Sequence, residues 1–357
     1  MQRITFLDYV RTIACFLVML VHACEFYYTE FYPTTIIADE STRLWVSIYD
    51  GFSRMSVPLF MIVSAFLLAP MKEGESAFSF YRKRFLRIIP PFLIFMVLYA
   101  ILPVVWGQFD IATALDQLIY VPLNFPMNAG HLWFIFPLIG LYLFIPIISP
   151  WLRKVGKREE QFFILLFLIS TCLPFLNHFV GYVWGQCLWN EFHSLWYFSG
   201  YLGYLVLAHY IHRYINWSTR RRIVIGTSAM VVGAIITILS FYLQTPPGTP
   251  IPTPTAEIGW SFCTINCVLL TFGAFILFSC IKLPLRFVTS ISKLSYGMYL
   301  MHIFWLGLWY SIITKNFDLP VALEIPVIAV MTYFTCIVAT KLLSLLPGCY
   351  YIIGVKK

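Results

Sequence analysis

Charge is what this chain has least of. Only 11% of its residues are charged, against about 25% in soluble domains, and 16 Asp and Glu stand against 24 Lys and Arg. A chain so poor in charge cannot clothe a water-facing surface, which excludes an ordinary soluble enzyme. No internal repeat is visible, which argues against transporters built from repeated halves. The nine cysteines are scattered without a Cys-x-x-Cys pair or a Cys/His ligand spacing, so neither a structural disulfide nor a metal site is expected. No polar stretch is long enough for a separate soluble domain, and residues 1–357 read as a single membrane-embedded domain. No small-residue cleavage site follows the first apolar run, which is therefore expected to be retained as a span.

What fills the chain instead is apolar sequence: 60% of residues are hydrophobic and 18% aromatic. Runs long enough to cross about 30 Å of hydrocarbon occur near 5–26, 46–69, 88–105, 132–149, 161–176, 195–211, 223–243, 261–281, 294–313 and 321–345. The expected fold is an all-α, polytopic transmembrane helix bundle of about ten spans. The basic residues support that count. With the N-terminus inside, the inner loops hold Lys72, Arg82, Lys83, Arg84 and Arg87, then Arg153, Lys154, Lys157 and Arg158, then Arg213 and Arg220–Arg222, then Lys282, Arg286 and Lys293, with Lys356 and Lys357 at the tail. The outer loops hold only Arg43 and Lys315, while Glu30, Asp39, Glu40, Asp110, Asp116, Glu191 and Glu257 fall mostly outside. By the positive-inside rule both termini are cytoplasmic. The net charge of +8 thus follows from topology and attraction to anionic membrane lipids, and needs no nucleic-acid partner.

Ionisable residues inside spans are costly and are functional candidates by default. Arg11 and His22 lie on one face of the first helix: eleven residues at 100° return to within about 20° and climb roughly 16 Å. Asp8, one turn below Arg11, is placed to pair with it. Anchoring at the two membrane surfaces is the plainer reading of the same residues. In the second span Arg54 lies near the outer end and Pro58 is expected to kink the helix; Arg54 is either an interfacial anchor or an anion or substrate contact. His131 and Trp133 open the fourth span at the outer mouth, where a tryptophan also suits an aromatic belt. Tyr299 and His302 lie one turn apart on the ninth span, roughly 12 Å above its inner end. Arg84 and Arg87 share a face if their segment is helical, and could fork onto phosphate groups; positive-inside anchoring explains them equally. The stretch Thr245–Glu257 is proline-rich and is expected to be an extended, stiff connector.

Taken together, Leu7-Asp8-Tyr9-Val10-Arg11 through His22, Val57–Ser64, Arg84-Phe85-Leu86-Arg87, His131-Leu132-Trp133-Phe134 and Leu294–His302 resemble the acyltransferase-3 family of integral membrane O-acyltransferases over essentially the whole chain. Within that family the likeness is to the branch that acetylates enterobacterial common antigen, with polysaccharide succinyltransferases of the intercellular-adhesin type close by. Ala65 stands where the family usually has glycine. The resemblance implies a bacterial inner (plasma) membrane enzyme with a cytoplasmic acyl-CoA, such as acetyl-CoA, as donor. The acceptor is then a hydroxyl of a cell-surface glycan or lipid-linked saccharide. It assigns the arginine-histidine motif to Arg11 and His22, with Asp8 beside them, and the paired-arginine motif to Arg84 and Arg87. On that reading His22 is the general base, Arg11 an electrostatic organiser, and Tyr299 and His302 donor-pocket residues that, with Ser64, are candidates to stabilise the oxyanion. Arg54, His131 and Trp133 then face the acceptor. The competing reading is a non-catalytic exporter or flippase of lipid-linked sugars, with Arg11, Arg54 and His22 along a polar path.

Overall fold

The apolar runs do form helices. In the computed structural model, which describes residues 3–29, 32–119, 121 and 123–355, helix α1 spans Thr5–Glu25, α2 Glu40–Ser53, α3 Ser56–Leu68, α4 Ala77–Val105 and α5 Ile111–Ile119. A 3₁₀ segment, Met127–Phe134, leads into α6 (Ile135–Lys154), followed by α7 (Lys157–Ser170), α8 (Leu173–Val180) and α9 (Tyr201–Tyr214). Then come α10 (Thr219–Gln244), α11 (Thr253–Ala256), α12 (Ile265–Phe278), α13 (Arg286–Asn316), α14 (Val321–Leu343) and α15 (Cys349–Ile353). Glu30, Lys356 and Lys357, weighed above in the charge topology, lie outside the described residues. The architecture is an all-α membrane bundle, and all nine cysteines are unbridged.

Nine helical segments among the described residues are long and apolar enough to cross a membrane. The sixth expected span is different: α9 has 14 residues, about 21 Å at helical rise, and starts only after a 3₁₀ turn at Trp196–Phe198. It still connects the two ends of the bundle. Near its start Tyr204 Oη donates to the Phe262 carbonyl at 2.6 Å, and near its end Arg213 donates to the Leu152 carbonyl at 3.1 Å. Almost every residue from Gly203 to Ile211 is buried, so this short helix is surrounded by protein, whereas no residue of the 3₁₀ turn before it is buried.

α1 occupies the centre, packed by α2, α3, α12, α13 and α14. Along the α10–α12 seam glycines let the backbones touch: a Cβ on Gly273 would stand 2.4 Å from the Met230 nitrogen, and one on Gly233 2.5 Å from that of Leu270. Small residues serve close helix approach in membranes, where apolar side chains gain little by leaving lipid. The expected break in the second span falls at Arg54–Met55, between α2 and α3. Pro58 then sits in the first turn of α3, where its missing N–H is unneeded.

The outer loops clamp onto one another. Thr34–Thr35 (β1) pairs antiparallel with Ile251–Pro252 (β2), and the Gly248 amide donates to the Ile37 carbonyl at 2.8 Å. The proline-rich stretch is therefore not a uniformly extended connector. Thr253–Ala256 closes a helical turn, because Pro254 at the start of a helix removes an amide that has no intrahelical partner. That turn delivers Glu257 and Trp260 to the bundle's outer mouth.

Candidate active site

α4 continues as one helix from Ala77 through Pro90 and Pro91 to Val105, so Arg84 and Arg87, three residues apart, project together. They line an inner cavity of about 750 Å³ with Arg3, Arg11 and Lys293, five cations against the single carboxylate of Asp8. A contiguous cavity of about 300 Å³ shares Arg11, Ser64, Arg84 and Arg87 and adds Lys72 and Glu75. Arg87 Nε donates to the Gly354 carbonyl at 3.2 Å, so the C-terminal segment after α15 returns to hold one of the paired arginines. The Arg84 Nε is buried without a partner among the described residues. A chamber of this sign and size suits a ligand bearing several phosphates.

The expected Asp8–Arg11 pair is not formed. Asp8 is buried and accepts from Arg3 Nε at 2.6 Å and Nη2 at 2.8 Å, from Ser292 Oγ at 2.8 Å and from Thr289 Oγ1 at 3.1 Å. Four donors saturate a carboxylate's two oxygens, which leaves nothing for Arg11. The bond with Asp8 also raises the pKa of Arg3, which precedes the first span. Among the described residues Arg11 makes no hydrogen bond or ion pair, and its half-buried side chain lines the cationic cavity.

On the outer side His22, His131 and His302 converge. Ring centroids lie 5.1 Å apart for His22–His302 and for His131–His302, and 6.3 Å for His22–His131. His22 Nδ1 stands 2.6 Å from Glu25 Oε2, one turn further along α1. An ionised carboxylate only accepts, so Nδ1 carries the proton and Nε2 of a neutral His22 presents its lone pair. His302 Nδ1 is 2.6 Å from the Tyr299 carbonyl, which fixes the same tautomer. Its Nε2 and that of His131 are buried without partners among the described residues.

His302 therefore does not belong with the donor-side arginines. The apolar run starts near Leu294, but α13 begins at Arg286, which puts His302 sixteen residues, roughly 24 Å, above the helix start. Neutral and tied at Nδ1, it has no N–H left to offer an oxyanion. Tyr299 lies between the two sides: its hydroxyl donates to the His131 carbonyl at 2.6 Å. With Phe134 it lines both the inner cavity and an outer cavity of about 240 Å³ that holds His22, Glu25 and His131.

That outer cavity shares Arg54, Trp133, Glu257 and Phe262 with a wider one of about 550 Å³. Trp133 stacks on Phe262 with centroids 5.5 Å apart and so forms cavity wall rather than a lipid-facing belt. Arg54 is buried, clamped by Asp50 at 2.5 and 2.9 Å and by the Tyr28 hydroxyl at 3.1 Å. Sequence reasoning missed Glu25, Asp50 and Glu257. The first two were readable as i,i+3 and i,i+4 partners of His22 and Arg54; Glu257, brought in by a long loop, left no such signal.

The model of the acyltransferase-3 family, an acyltransferase domain, matches residues 4–341. No curated protein and no solved structure matches the chain. Because the match covers nearly the whole chain, the chain belongs to the acyltransferase-3 family and, with its nine described apolar helices of membrane-crossing length, is a multi-pass membrane acyltransferase.

Proposed function

We propose that the protein transfers an acetyl group from acetyl-CoA, held in the inner cationic chamber, to a hydroxyl of a cell-surface glycan or lipid-linked saccharide in the outer chamber. The observation that carries this reading is that the His22–Glu25 pair lines an outer cavity that shares Tyr299 and Phe134 with the inner cationic one. Arg84, Arg87 and Arg11 supply charge for the nucleotide phosphates. The likeness to the branch acting on enterobacterial common antigen favours acetyl as the acyl group and a bacterial inner membrane as the setting.

In this mechanism His22 Nε2 takes the proton of the acceptor hydroxyl as its oxygen attacks the thioester carbonyl carbon. Glu25 holds the ring and offsets the charge of the imidazolium, as the carboxylate does in a serine-protease triad. Collapse of the tetrahedral intermediate breaks the carbon–sulfur bond, and the imidazolium returns its proton to the departing thiolate. An ester and free CoA thiol result, with His22 and Glu25 restored. Tyr299 gives up its present bond to the His131 carbonyl if it is to serve the oxyanion.

Sidedness tests the proposal. In oriented proteoliposomes, acetyl-CoA supplied at the face bearing Arg84 should support acylation of an acceptor on the opposite face, because highly charged CoA does not cross hydrocarbon unaided. His22→Ala should abolish most of that transfer, by about a hundredfold or more. Transfer only when both substrates share the cytoplasmic face, or unchanged turnover in His22→Ala, would refute the mechanism.

A further inference from the structure

The two chambers differ in electrical sign, and the outer one carries information about its ligand. The cation in its wall, Arg54, is already neutralised: Asp50, fully buried, holds it through two bonds, and its guanidinium lies 4.4 Å from the centroid of the Trp260 ring. Two carboxylates remain, Glu25 beside His22 and Glu257, which is 3.8 Å from Arg54 and still 29% exposed. The surplus is negative, in a space walled by aromatic rings that lower the local dielectric and strengthen each charge. A second feature points to a polar ligand in the same place: His131, whose buried Nε2 lacks a partner among the described residues, lines the cavity next to His22. Trp133 and Phe262, stacked on one another, line this space with aromatic surface of the kind that packs against sugar carbons.

We propose that the outer chamber is an anion-excluding saccharide site with Glu257 as its specificity-determining residue. It admits a sugar that is neutral or cationic at the reacting residue and rejects one bearing a carboxylate or phosphate there. This rests on the reading above that the acceptor occupies the outer chamber. Arg54 provides no counter-ion for an acidic sugar, since displacing Asp50 would leave a buried carboxylate unpaired. Discrimination therefore comes from repulsion at Glu257.

Binding of three methyl glycosides, the glucoside, the glucosaminide and the glucuronide, to the full chain in nanodiscs is the test, read by saturation-transfer NMR titration. The glucuronide should bind at least about tenfold more weakly than the glucoside. Glu257→Gln should shrink that gap to about threefold or less, whereas Glu257→Asp, which keeps the charge, should preserve it. A merely structural role for Glu257 would weaken all three sugars alike and leave the ratio untouched, which would overturn the proposal. So would a glucuronide that binds as tightly as the glucoside, or saturable binding of none of the three. Acetyl-CoA binding on the same samples judges the donor chamber separately, so failure of one reading is not mistaken for failure of the other.

Discussion

His22 Nδ1 and Glu25 Oε2 stand 2.6 Å apart on adjacent turns of one helix. The partner is thus fixed by backbone geometry rather than by tertiary packing, and the base arrives already oriented. Glu25→Gln keeps an acceptor for Nδ1–H but removes the charge that stabilises the imidazolium. We expect kcat to fall about ten- to a thousandfold, with the KM for acetyl-CoA little changed. Steady-state kinetics in detergent checks this. An unaltered kcat would remove Glu25 from the mechanism and leave it as a helix-end ornament.

The inner arginines make a separable prediction. Arg84→Gln with Arg87→Gln should weaken acetyl-CoA binding by about a hundredfold or more, at roughly 1.5 to 3 kcal/mol for each charge-assisted bond lost. Binding of acetyl-pantetheine, which lacks the nucleotide phosphates, should change little. Isothermal titration of both ligands decides the matter. Equal losses would mean that the double variant has disturbed the packing of α4 against the C-terminal segment.

The α10–α12 seam predicts a stability effect with no bearing on chemistry. A methyl group on Gly273 would meet the Met230 nitrogen at 2.4 Å and the Gly226 carbonyl oxygen at 2.5 Å, backbone atoms that cannot rotate away. Gly273→Ala should cost about 1–3 kcal/mol and melt measurably lower in detergent. Gly140→Ala, where nothing lies within 4 Å, should melt at or slightly above the parent temperature because alanine favours the helix. Matching melting curves for the two variants would show that the helices part without cost.

Much of the fold was legible because membrane spans are written in composition: length, apolarity and the one-sided distribution of Lys and Arg suffice in outline for the nine described segments long and apolar enough to cross a membrane, whereas α5 and the α11 turn lie outside the apolar runs. α9 was misjudged in extent because a short buried helix needs no full-length apolar run when protein surrounds it. At the site, helical spacing located Arg11, His22, Arg84 and Arg87 on the helices that bear them. It could not say that Asp8 prefers Arg3, since that choice depends on Ser292 and Thr289 approaching from α13. Nor could it join His22 to His131 and His302, which lie on three separate elements and meet only through packing.

The shared wall made by Tyr299 and Phe134 has a consequence for the energetics of the cell. If both chambers fill with water, the electrochemical gradient no longer spreads over the whole bilayer but drops across that one layer of side chains. Each elementary charge moved through 100 mV is worth about 2.3 kcal/mol. The same focusing makes any charge that appears beside the wall, an imidazolium at His22 or a departing thiolate, sensitive to the polarity of the membrane, so that an energised cell would drive the reaction at a different rate from a depolarised one.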